Sequence, residues 1–211
     1  YTNGPWSVSV ENPETTVSPY LSGARISSDD NAVPDLTARY LHKAAWGHFT
    51  VAGMVRQLKY QTPFLDESDT AYAISVSGKW NIGANDDIRY MVSYGSGIGR
   101  YLGLGLGSDA LQAADGSLEA LEGQGGYVAW RHAFNPKLRG NLFVSAASYD
   151  NNPLISGLAV TRSARSIHAN LIYTVLPKLE IGAELIHGNR EIESGLDGDL
   201  RRLHMHVKYS F

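Results

Sequence analysis

Apolar and polar residues alternate with a period of two along ten stretches of this chain. Successive side chains on a strand point to opposite faces, so each stretch predicts a strand with one apolar and one polar face. The last stretch, Asp199–Phe211, shows the rule most fully. Phe211, Tyr209, Val207, Met205 and Leu203 fall on one face, and Ser210, Lys208, His206, His204 and Arg202 on the other. The first strand has Trp6, Val8 and Val10 on its apolar face. The second has Leu36, Ala38, Tyr40, His42, Ala44 and Trp46. The next seven run Phe49–Val55, Tyr72–Ile82, Ile88–Tyr94, Val128–Phe134, Leu138–Ala146, Ile167–Val175 and Leu179–Leu185.

The connections alternate in length. Gly47, Gly83–Asp86, Asn135–Lys137 and Pro177–Lys178 are short. Asn12–Pro34, Gln61–Asp69, Gly95–Gly125, about Asp150–Val160 and Asn189–Gly198 are long, with Gly, Pro, Asn and Asp in loop positions. Within Gly95–Gly125, Ser108 precedes an acidic run with Ala and Leu at helical spacing, which predicts a short helix inside the loop. Trp46, Phe49, Trp80, Phe134 and Phe211 all lie beside short turns or the chain end. Tyr72 and Tyr94 fit a second girdle at the opposite end. One short-loop end, one long-loop end and an aromatic row at the short end predict an all-β transmembrane antiparallel up-and-down β-barrel in a bacterial outer membrane, with residues 1–211 as a single domain. A soluble sandwich shares the alternation but has no reason to gather aromatics at one end.

Composition changes this picture little. The 211 residues contain no Cys, so no disulfide or thiolate metal site is available. No run of 18 apolar residues exists to make a membrane helix, and a barrel needs none. The chain opens on Tyr1 without a Met or a leader-like segment, which suggests a mature, processed or incomplete chain.

Charge changes it more. The net charge is only −3, yet the polar strand faces carry Arg39, Lys43, Arg56, Lys79, Arg89, Arg131, Arg139, Arg202 and Lys208, nine of the 18 Lys and Arg. Those faces carry three of the 21 acids, Glu11, Glu180 and Glu184. The other acids, among them Asp29, Asp30, Asp66 and Glu191, fall in loops and turns. A cationic wall in a narrow channel focuses the field and concentrates anions. Arg also offers a planar fork that matches a carboxylate. These nine residues are therefore the expected pore-lining and substrate-contacting set. Part of their charge is expected to be neutralised by Glu180, Glu184 and an infolded Ser108–Gly123 segment.

His168, His204 and His206 share the polar face near the chain end. Two His spaced two apart could chelate a metal, but no close carboxylate or second motif supports a site, and solvated lumen histidines explain them. His42 falls on the apolar face, as it would if it met a neighbouring subunit or if the strand held a bulge. No nucleophile–base–orienter set stands out, and Gly95–Gly107 lacks the Gly-Lys-Ser/Thr ending of a phosphate loop. A passive channel without catalytic residues, metal or cofactor is the leading expectation. A barrel protease or phospholipase and a loop-based receptor or adhesin are the alternatives. Outer-membrane lipid, lipopolysaccharide and small anionic solutes are the expected partners.

Three segments carry a family resemblance. They are W-S-V-S-V-E-N-P-E-T-T at Trp6–Thr16, G-K-W-N-I-G-A-N-D-D-I-R-Y at Gly78–Tyr90, and Y-G-S-G-I-G-R-Y at Tyr94–Tyr101. The ending V-K-Y-S-F would suit any porin. With these segments the whole chain resembles the C-terminal part of a porin of the DcaP-like family. The resemblance implies a sixteen-stranded homotrimeric porin that passes small anions, dicarboxylates in particular. The chain departs from it in length: ten strands are expected here, so it reads as a partial chain whose first and last strands do not pair. A complete ten-stranded barrel is the rival.

Overall fold

A computed structural model describes residues 1–103 and 105–211. Its strands are β1 (Thr2–Asn3), β2 (Trp6–Glu11), β3 (Thr15–Ser18), β4 (Ile26–Ser28), β5 (Asp35–Ala44), β6 (Gly47–Thr62), β7 (Leu65–Ile82) and β8 (Asp86–Ser96). They continue with β9 (Ala110–Gln112), β10 (Leu118–Ala120), β11 (Glu122–Asn135), β12 (Leu138–Tyr149), β13 (Thr161–Leu176), β14 (Leu179–Ile192) and β15 (Asp197–Tyr209). A one-turn helix, α1, spans Pro153–Ser156.

The main sheet is antiparallel throughout, in the order β1-β2-β5-β6-β7-β8-β11-β12-β13-β14-β15. Its ten longer strands are the ten expected ones, and β1 adds a two-residue hairpin arm. Each hairpin places consecutive strands side by side, which is the up-and-down order of a barrel wall. Among the described residues β2 and β15 do not pair with each other.

The burial of the wall is inverted relative to a soluble sheet. On β7 the apolar residues Tyr72, Ile74 and Trp80 are 61%, 52% and 58% exposed. Their polar neighbours Ser75, Ser77 and Lys79 are half-buried. The same exposed-apolar, sheltered-polar alternation runs along β2, β12, β13 and β14. An apolar outer band of this extent needs lipid to cover it, and the polar face is the inner one.

The buried core lies against that inner face. Strands β10, β9, β3 and β4 form a small sheet from the two long connections. It sets Val17, Ala110 and Leu118 on Leu58 of β6 and Ala71 of β7. A second cluster joins Leu111, Leu121 and Tyr149.

Two expectations are corrected here. The Ser108–Gly123 segment holds no helix: β9 and β10 pair as a hairpin. The Asp115-Gly116 turn between them, with Gly116 at φ 94°, reverses the chain, and the same Ala and Leu residues serve a strand. Gln61–Asp69 is also not a loop, because β6 and β7 pair up to Thr62 and Leu65 around a two-residue turn. Sequence alternation fades there because backbone pairing beyond the apolar band does not require apolar side chains.

His42 is explained without a bulge. The β5–β6 register is continuous from Leu36↔Val55 to Ala44↔Gly47, and His42 stands on the outer face opposite Phe49, ring centroids 5.2 Å apart. Trp6, Tyr40 and Phe49 stack beside it. Its place is the aromatic girdle at the short-turn end, where a polar ring tip reaches water.

Candidate pore wall

Asp87 organises a charge cluster on the inner face. Cross-strand pairing sets Lys79 against Arg89 and Arg131 against Asp87. The buried Asp87 carboxylate receives Arg89 Nε at 2.9 Å and Arg131 Nη1 at 3.1 Å, with Lys79 Nζ at 3.8 Å. Three cations therefore share one anion. The register continues from Lys79 to His48 and from His48 to Lys43, extending the cationic row to β5. The sequence placed Asp87 among the turn acids. Counting back one position from Ile88 puts it on the inner face, because β8 begins at Asp86.

The remaining expected wall residues divide into paired and solvated. Arg139 grips Glu180 through two hydrogen bonds of 2.8 and 2.9 Å. Arg39 is exposed and donates to Ser7 Oγ at 3.3 Å. Lys43, Arg202 and Lys208 are exposed. Lys208 stands opposite Glu180 in register. Glu184, on β14, lies between two of the histidines: Oε1 is 3.6 Å from His168 Nδ1 and Oε2 is 4.0 Å from His204 Nδ1. The sequence showed no carboxylate near these histidines because Glu184 reaches them only through strand pairing. Asn170 also donates to Glu184 and Ser166 meets His168, so the group forms an inner-wall polar network.

Arg56 is not at the water surface, contrary to its expected role as a pore-lining cation. It is 2% exposed. Its Nε is 3.2 Å from Asp35 and its Nη1 is 3.1 Å from Asp109. Nη1 also donates to Gly97 O, and Nη2 to Glu14 O. Asp109 in turn accepts from the Thr16 amide and hydroxyl and from the Arg100 amide. Both infolded connections are thus tied to the wall at one guanidinium. Tyr101 caps the cluster and donates its hydroxyl to Asp35 at 2.9 Å. Burial first, and then Asp35, pushes the Tyr101 phenol well above its ordinary range. The infolded segment therefore supplies one carboxylate to the wall cluster, that of Asp109. Asp115 binds its own Ser117, and Glu122 accepts from Tyr94.

Beside Tyr101, against the inner wall, lies a cavity of about 530 Å³, bordered by Ser7, Ser9, Thr37, Arg39 and Tyr101. Hydroxyl pairs line the wall: Ser9 with Thr37 at 2.5 Å and Ser75 with Ser93 at 2.8 Å. Hydroxyls exchange donor and acceptor roles freely, so they can replace part of a solute's hydration without adding charge.

Comparison with known proteins bears on this wall. Residues 24–211 match the family described as DcaP outer membrane protein. The crystal structure of the outer membrane channel DcaP of Acinetobacter baumannii superposes with a TM-score of 0.83 at 24% identity, over 100% of this chain and 60% of that one. This chain thus spans 60% of the length of that channel. The NanC porin structure matches with a TM-score of 0.44 at 10% identity, over 84% of this chain and 93% of that one. No curated protein matches the chain.

Proposed function

This chain belongs to the DcaP outer membrane protein family, and on that premise we propose that it lines a passive diffusion channel with a preference for small anions such as dicarboxylates. Membership places it in the bacterial outer membrane, and the family is not an enzyme family. The ten wall strands are, in this reading, the larger part of a sixteen-stranded barrel that assembles as a homotrimer.

The convergence of Lys79, Arg89 and Arg131 on Asp87 carries the reading. One carboxylate cannot neutralise three cations, so the patch keeps excess positive charge facing the lumen. The solvated Arg39, Lys43, Arg202 and Lys208 add to it. Two cations on neighbouring strands suit a solute with two carboxylates. Weak, repeated sites let the anion leave as readily as it enters.

The test is a reversal potential in a potassium chloride gradient with the full-length porin in a planar bilayer. Wild type should favour chloride. Asp87→Asn should raise that preference, because it removes the one anion among three cations. A unit charge near the ion path is worth about 1 kcal/mol or less, so the permeability ratio should change by up to about fivefold. Replacing Lys79, Arg89 and Arg131 with Gln together with Asp87→Asn avoids a buried unpaired carboxylate and should lower the preference clearly. A wild-type channel that favours potassium would overturn the reading. Dicarboxylate added to one side should reduce chloride current, and unchanged current would leave a general anion pore.

A further inference from the structure

We propose that the outer face of β13–β15, at its long-loop end, binds the phosphate groups of a membrane lipid through Arg165, His187 and Arg201. This rests on the placement in the outer membrane and not on the solute preference.

Three observations carry it. First, strand parity puts all three cations outside. Ile167 pairs with His187, and His187 with Arg201, while Arg165 sits one row further towards the loops, paired with Asn189. All three side chains are exposed. Second, they stand at the top of the apolar band. The next outward row towards the short turns is Ala169, Leu185 and Leu203, and a groove bordered by Ile167, Leu185 and Leu203 opens directly below His187 and Arg201. Third, the cluster is local. Among the described residues, the outward positions of β2, β5–β8, β11 and β12 hold one Lys or Arg, Lys59, and Asp66 pairs with it at 2.9 Å.

A cation fixed where the apolar band ends meets the layer in which lipid headgroups lie. Arg can keep its stem along the apolar surface and its guanidinium at headgroup height. The guanidinium fork matches phosphate oxygens two at a time. The groove beneath would take the upper part of an acyl chain. Of the acids nearby, Asp199 shares the row of Arg165 and, like Asp197 in the row beyond, accepts from Asn189, while Glu191 lies 3.4 Å from Arg162. A second copy of the chain is a poorer occupant. The outward carboxylates of β7, β8 and β11 are already engaged, Asp66 by Lys59, Asp86 by Trp130 and His132, and Glu122 by Tyr94.

The experiment is native mass spectrometry of the full-length protein in detergent, titrated with bis-phosphorylated lipid A or with its dephosphorylated form. Wild type should retain the phosphorylated lipid at least tenfold better. Arg165→Ala with Arg201→Ala should erase that preference, and Arg165→Lys with Arg201→Lys should keep most of it. Equal retention of the two lipids by wild type, or unchanged preference in the double Ala variant, overturns the proposal. A double Ala variant that changes oligomer mass while keeping its lipid preference makes the patch a subunit contact, which also overturns it. Unchanged single-channel conductance of that variant shows an intact barrel. Absence of ion selectivity in wild type would defeat the solute reading and leave the lipid comparison readable.

Discussion

Arg56 shows how much one residue can decide. Its guanidinium binds two buried carboxylates and two carbonyls, and through them two separate connections. Removing it leaves Asp35 and Asp109 buried without their cation. Breaking a buried pair in this way costs about 3–5 kcal/mol. Arg56→Ala should therefore release the infolded segments, read as new protease cleavage within residues 97–121 and a larger single-channel conductance. Unchanged cleavage and conductance would show that packing alone holds them. Tyr101 adds a pH dependence of known sign. Its phenol is raised above the unfolded value, so the native state keeps a proton that the unfolded chain loses. The stabilisation is complete below about pH 10 and declines as pH rises through the higher native value. Tyr101→Phe should flatten the alkaline loss of protease resistance over that range.

At the scale of elements, the β6–β7 hairpin and the β9–β10 hairpin work as a pair. The first rises beyond the apolar band and offers Leu58 and Ala71 on its inner side. The second lays Ala110 and Leu118 on them. Asp69 of β7 fixes their registration by accepting from the Ala120 amide at 2.9 Å. Gly116 makes the turn possible: it has φ 94°, and a Cβ there would stand 2.6 Å from Leu65 Cδ1. Gly116→Val should cost about 1–3 kcal/mol of local backbone strain. The expected readout is faster amide exchange in β9 and β10 with unchanged exchange in β12 and β13. Uniform loosening of the whole sheet would mean that this hairpin is part of the barrel's cooperative unit.

At the scale of the molecule, the exposed apolar face and the sheltered polar face set the solvent on each side of the wall. Closure of the wall is decided at the two edge strands, β2 and β15. If six further strands stand between β2 and β15, spaced about 4.8 Å each, the two cannot approach within disulfide range. Val8→Cys with Met205→Cys, both outward and on a chain without native Cys, should remain uncross-linked in the full-length protein under oxidation. An efficient disulfide would show a ten-stranded closure.

Period-two alternation determined a great deal by itself: which residues form the ten wall strands, which face of each meets lipid, and which end carries the short turns. These are local properties, because side-chain direction follows from backbone parity alone. The aromatic girdle was legible for the same reason. What parity could not give is which side chains meet across strands. It identified Lys79, Arg89 and Arg131 as inward, and only the register joined them around Asp87. It also identified Arg56 as inward, and only the β5–β6 register, which sets Asp35 beside it, and the infolded connection that brings Asp109 turned a lumen cation into a buried tie. Glu184 between His168 and His204 is the same case. Charge on a face is written in the sequence. Whether that charge stays free for a solute depends on pairing distances of a few ångströms, and those exist only once the strands are in register and the loops are folded in.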